Sequence, residues 1–225
     1  MILDLVTFVL NGAIIFLLPL ETLPAGDTAE SIESWSKKFK DLFRFNKKAA
    51  LLDIFLAVSL LGWASYTARL AGSDQTWNAL FVASYGLAVW IAGFMERYLA
   101  KRFSSVPFWG LLFLSYAGLA MFNGPHLSTL AIVFVRDISY WVILHRISSY
   151  IQHDSPASLM GGISSARFSI MVTILACGEM LVGAWAPVVS VGADSIFRAL
   201  VALAVCGVLL LTKTTKEKSD ERPSF

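Results

Sequence analysis

Charge is what this sequence has least of. Only 15% of its 225 residues are Asp, Glu, Lys or Arg, and 56% are hydrophobic; an ordinary soluble domain carries about 25% charged residues. That scarcity excludes a disordered chain, and the net charge of +2 gives no reason to expect nucleic acid as a partner. Cysteine is scarce too. Cys177 and Cys206 both fall inside apolar runs, where a thiol behaves as a small hydrophobe, so no disulfide framework is expected. Metal-ligand clusters, phosphate-cradling glycine loops and nucleophile–base pairs at recognisable spacing are all missing, so neither an enzyme nor a cofactor is expected. The N-terminal stretch has no Lys or Arg before Lys37 and carries Asp4, which argues against a cleaved signal peptide despite its apolarity.

What the sequence does have is long apolar runs. The mean hydropathy is +0.66, and runs near 20 residues suit the roughly 30 Å of hydrocarbon in a bilayer. Breaks at charged and turn residues give seven candidate membrane helices, at 2–20, 50–70, 77–95, 107–122, 127–149, 166–189 and 195–212. Pro107 suits the first turn of the fourth. The stretches 71–76, 123–126 and 191–194 read as tight turns, Asn123-Gly124-Pro125 being the clearest breaker, and 150–165 as a longer connection. The sequence thus predicts an all-α membrane protein: a first helix over 1–20, a connector over 21–48, a six-helix bundle over 49–212 and a disordered tail over 213–225.

The few charges are placed unevenly. Fifteen Lys and Arg residues fall on one side of this layout; the other side holds only Arg69 and Arg198, and Arg136 lies within a span. The positive-inside rule then puts the N-terminus outside and the C-terminus in the cytoplasm of a plasma (bacterial inner) membrane. Within the connector, Ile32, Trp35, Phe39, Leu42 and Phe43 recur every three or four residues among Lys37, Lys38, Lys40 and Arg44. Such a pattern predicts an amphipathic helix on the membrane surface, or a connector with a few buried aromatics.

Ionisable groups at membrane depth are costly and usually face a cavity or a partner. Arg136, Asp137 and Glu179 lie near the middle of their runs and are the foremost candidates for a substrate or proton pathway. Asp137, Trp141 and His145 follow at i, i+4 and i+8, on one helical face. Glu179 sits among small residues that let helices approach closely. A structural alternative has Arg136 tied to Asp137 or Glu179 between helices. Asp53 reads as interfacial, or as the mouth of a cavity, and His145 as a snorkelling residue near a helix end.

Seven spans invite comparison with heptahelical receptors, and Glu96-Arg97-Tyr98 resembles the acid-Arg-Tyr triplet of rhodopsin-like ones. The last span lacks Asn-Pro-x-x-Tyr, however, and none carries a mid-span lysine for retinal. A different family fits better. Leu3-Asp4-Leu5-Val6-Thr7-Phe8, running to Leu17-Leu18-Pro19, resembles the sixth helix of bacterial drug and siderophore exporters of the major facilitator superfamily. Gly93-Phe94-Met95-Glu96-Arg97 with Lys101-Arg102 resembles the family's loop between helices eight and nine. Tyr150-Ile151-Gln152-His153-Asp154-Ser155-Pro156, followed by Leu159-Met160-Gly161, resembles the segment after its tenth helix, with Met160 where an Arg is usual.

The resemblance covers nearly the whole chain and implies helices six to twelve of that fold, one half plus the preceding helix. It implies close packing at Gly93 and a cytoplasmic gate formed with Glu96, Arg97, Lys101 and Arg102. It also implies a secondary transporter unit, exporting small organic molecules in exchange for protons. Such a unit would need a partner: a complementary N-terminal half, a second copy or a larger membrane complex. Two alternatives stand beside it, a non-transporting subunit that serves as an assembly scaffold and a fragment of a longer product.

Overall fold

The structure, a computed structural model, describes residues 32–99 and 105–220, with side chains at 36–95 and 105–210. The expected first helix, most of the connector's start, and Lys101 and Arg102 lie outside the described residues. The chain divides into two units, Met1–Ser36 and Lys37–Phe225, and the account below is of the second.

Among the described residues seven α-helices follow one another: α1 (Ile32–Ser59), α2 (Trp63–Ala71), α3 (Gln75–Leu99), α4 (Val106–Met121), α5 (Leu127–Asp154), α6 (Met160–Trp185) and α7 (Val191–Asp220), with a 3₁₀ turn at Ala157–Leu159 before α6. Among the described residues there is no strand. Five stretches of the described residues are long and apolar enough to cross a membrane: Ser36–Ala71, Gln75–Met95, Leu127–Asp154, Ala157–Trp185 and Val191–Leu210. These are the features of an α-helical membrane protein. The sixth, α4, has 16 residues, about 24 Å of helix, and is short for a full crossing.

Local chemistry sets most of the boundaries. Pro107 sits in the first turn of α4, where its missing N–H costs nothing. The Asp74 carboxylate accepts the Thr76 N–H at 2.8 Å and so caps the start of α3. Ser190 does the same for α7, accepting the Ala193 N–H at 3.2 Å. The residues 191–194, expected as a turn, therefore form the first turn of α7, and the chain reverses just before them, between Trp185 and Val191. The expected connection 150–165 is shorter as well. Helix α5 runs on to Asp154 and α6 begins at Met160, while α7 continues through Asp220 into the stretch expected as a disordered tail.

Helix α1 is broken at Asn46, whose φ of −133° and ψ of 33° are non-helical. Before the break, Leu42 is buried and Phe39 half-buried, while Lys37, Lys40 and Arg44 are exposed, so this segment carries the amphipathic pattern. The core is built chiefly by α4, α5 and α7. Trp109, Leu112, Tyr116 and Leu119 form the inward stripe of α4 at spacings of three and four, facing Val133, Tyr140, Ile143 and Ile147 of α5 and Ala199, Ala202 and Val205 of α7. The outward faces are equally apolar. Trp90, Leu114, Phe168 and Met180 are each more than 60% exposed, which lipid accommodates and water does not.

Candidate functional site

The run 50–70, expected as one continuous helix, is interrupted. Helix α1 ends at Ser59, and α2 begins at Trp63 after Gly62, which takes the left-handed conformation at φ 61°, ψ 40°. Glycine is demanded there twice over. Its φ is unfavourable for other residues, and a Cβ would lie 2.5 Å from the Val182 side chain of α6. Gly178, one turn before Val182, is equally confined: a Cβ there would fall 2.5 Å from Leu61 Cγ. Helix α6 and the interruption thus approach almost backbone to backbone.

A broken helix exposes free N–H groups on one side of the gap and free carbonyls on the other, and in lipid neither can turn to water. Gly62 has no side chain with which to cap α2, and the cap comes from another helix. Glu179 Oε1 accepts the Ala64 N–H at 2.9 Å. Its Oε2 accepts the Ser65 N–H at 3.3 Å and the Ser65 hydroxyl at 2.8 Å. A carboxylate here also answers the positive end of the α2 dipole.

The carbonyl side is held by a cation. Arg198 of α7 donates from Nη1 to the Ser59 carbonyl at 3.0 Å and from Nη2 to the Leu61 carbonyl. The Tyr116 hydroxyl donates to the same Ser59 oxygen at 2.6 Å. Arg198 is itself balanced by Asp194, one turn away, through Nε to Oδ1 at 2.9 Å. The other Asp194 oxygen takes Arg69 Nη1 at 3.1 Å, and Arg69 Nη2 donates to the Val189 carbonyl. Asp194 therefore bridges the C-terminal end of α2 to the guanidinium at the break.

Tyr66 of α2 lies between two cations. The Arg198 guanidinium stands 4.6 Å from its ring centre and that of Arg136 5.9 Å, and its hydroxyl is 2.6 Å from Ser195 Oγ. Arg136 and Asp137 of α5 are wholly buried, and both Nε and Nη2 donate to a single Asp137 oxygen, at 2.9 and 2.7 Å. The pair is made within one helix, between sequence neighbours, and is not the inter-helix tie. Arg136 Nη1 and Asp137 Oδ2 have no hydrogen-bond partner. An unmet buried polar atom costs about 1–3 kcal/mol, more when charged.

The remaining expected residues fall into two other groups. Trp63, Tyr85, Trp141 and His145 form an aromatic column, with successive ring centres 4.6, 5.7 and 6.0 Å apart, that leads from the break along α5. Asp53, read as interfacial, is buried in a bidentate pair with Arg167 of α6. Arg167 also donates from Nη1 to Ser148 Oγ of α5 at 2.7 Å. Burial follows because the partner supplies the compensating charge within the bundle. Among the described residues, a Cβ at Gly93 would meet nothing within 4 Å. The side chains of Glu96 and Arg97, like Lys101 and Arg102, lie outside the described residues, and so does the expected gate.

The sequence pointed to Arg136, Asp137 and Glu179 but not to the members that organise the site: Gly62, Tyr66, Arg69, Tyr116, Asp194 and Arg198. A signal existed for some of them. Asp194 and Arg198 stand at i, i+4 in an apolar run, the spacing of an intrahelical ion pair. Among the described residues no group of three or more His, Cys, Asp or Glu side chains is placed to hold a metal ion. No family model, curated protein or solved structure matches the chain.

Proposed function

We propose that this chain is a secondary transporter unit, of the major facilitator type that its sequence resembles, exchanging protons for small organic molecules together with a partner. The observation that carries the proposal is the helix break at Leu60–Gly62, with an anionic side chain on its N–H end and a cationic one on its carbonyl end. Discontinuous helices with charged groups at their ends are how transporters build polar sites in apolar surroundings. The unmatched oxygen of Asp137 supplies a proton-accepting atom next to this site. The uneven distribution of lysine and arginine along the sequence supports a C-terminus in the cytoplasm.

Proteoliposomes containing the chain, alone and with a complementary half, test the proposal. Substrate flux that responds to a proton gradient and falls in Asp137→Asn is expected. Absence of flux in both arrangements, with the helices intact by circular dichroism, would reject it.

One observation favours a second reading, a non-transporting subunit of a larger membrane complex. Helix α6 is the least covered of the long apolar helices, with 11% of its apolar window buried, although it carries two of the polar ties. Purification from native membranes separates the two: a stoichiometric companion that is not a transporter half supports the scaffold.

A further inference from the structure

Between α5 and α6 lies a cleft of about 390 Å³. One face of each helix lines it: Leu144 and Ser148 of α5, and Ser164, Arg167, Phe168 and Met171 of α6. Its walls are therefore apolar at Leu144, Phe168 and Met171 and polar at the two serines and the guanidinium.

Arg167 is the reachable charge, with 16% of its side chain exposed. Nε and Nη2 donate to Asp53, Nη2 also reaches the Leu144 carbonyl at 3.4 Å, and Nη1 donates to Ser148 Oγ at 2.7 Å. A guanidinium has five N–H groups, so one remains, on Nη1, the nitrogen that holds the cleft-lining Ser148. Ser164, exposed and one turn before Arg167, presents a hydroxyl on the same face. Asp53 does not line the cleft and its side chain is only 3% exposed. It sets the charge of the site without being open to a ligand.

We propose that this cleft binds a hydrophobic monocarboxylic acid, taking up one proton with each carboxylate. The carboxylate accepts the remaining Arg167 N–H and the Ser164 hydroxyl, and charge-assisted bonds are about twice as strong as neutral ones. The hydrocarbon lies against Leu144, Phe168 and Met171. Arg167 and Asp53 already cancel, so a second carboxylate on the same guanidinium would leave one uncompensated negative charge among apolar side chains. A proton that enters with the ligand, resting on Asp53 or on the ligand, keeps the site neutral. Other groups that could titrate are on α5: Tyr140, within electrostatic reach of both Asp53 and Arg167, and His145, next to Leu144. Helix α1 has no charged residue after Lys48 except Asp53, and α6 has none before Glu179 except Arg167. The assignment does not rest on transport.

Calorimetric titration of the full chain in detergent with octanoate, octanol and octyl phosphate tests it, repeated in buffers of different ionisation enthalpy to count protons. One octanoate per chain is expected, with one proton taken up. Affinity should fall about a hundredfold between about pH 6 and pH 8, where free octanoate is ionised, a tenfold loss for each pH unit. Asp53→Asn should bind more tightly at the higher pH and lose the pH dependence, whereas His145→Gln should keep it. Ser164→Leu, at an exposed position that leaves the buried pair in place, should weaken binding about tenfold by filling the cleft. Octanol or octyl phosphate binding as well as octanoate overturns the proposal. So does binding without proton uptake, uptake abolished by His145→Gln, or unchanged affinity in Ser164→Leu.

Discussion

Glu179 and Ser65 meet across two helices, the carboxylate of α6 accepting both the backbone N–H and the hydroxyl of the third residue of α2. A helix that starts after a glycine has no side chain of its own to satisfy its first N–H groups, and here a distant residue does so. Glu179 thereby has a structural duty in addition to any part in proton exchange, and the two can be separated.

Glu179→Ala removes the cap and should destabilise the fold by about 1–2 kcal/mol, the usual worth of an N-terminal cap. Glu179→Gln keeps an acceptor for one N–H and should cost about half as much. Thermal unfolding in detergent reads both. Equal stability of all three proteins would show that the contact contributes nothing to α2.

The two glycines at the break should respond differently to relief of crowding. Gly178→Ala overpacks against Leu61 and should cost about 1–3 kcal/mol, with a substantial part recovered in Gly178→Ala/Leu61→Ala. Gly62→Ala meets Val182, whose Cβ is itself 2.5 Å away and persists in alanine, and also a positive φ, so Val182→Ala should recover less. A double-mutant cycle at each site makes the comparison.

Removing one member of the Arg136–Asp137 pair should harm the protein more than removing both. Asp137→Leu alone strands a buried cation, and about 3–5 kcal/mol is expected. The double variant Arg136→Met/Asp137→Leu should unfold at a temperature closer to wild type. A cycle without coupling would mean that the two charges are not energetically linked.

Arg198→Lys should not behave conservatively. The guanidinium reaches two carbonyls across the break and Asp194 behind it, a fork that an ammonium cannot reproduce. A loss of about 2 kcal/mol is expected from unmet buried groups. Tyr116→Phe, which removes one donor to Ser59 O while Arg198 keeps the other, should cost less. Unfolding midpoints of the two variants give the order.

Six of the seven expected apolar runs correspond to described helical segments because run length and turn residues are local features. Asn123-Gly124-Pro125 and Pro107 mark boundaries that any chain of this composition would obey. The break at Leu60–Gly62 was not legible: two leucines precede the glycine and a tryptophan follows it, and hydropathy does not register the sign of φ. Asp53 and Arg167 stand 114 positions apart, and a charge near the end of an apolar run looks interfacial until its partner arrives from another helix. Arg198, counted by the sequence on the side poor in basic residues, likewise has its partners on other helices. Arg136, Asp137 and Glu179 were legible because a charge in mid-run is conspicuous alone, although which atoms each would meet was not.

Helix α2 is nine residues long, and its two ends are fastened to different neighbours, the first turn to α6 through Glu179 and the last to α7 through Arg69 and Asp194. A rigid rod pinned at both ends to separate supports is a lever. A tilt of α6 against α7 must rotate it, and with it Tyr66, the ring that stands between two guanidiniums.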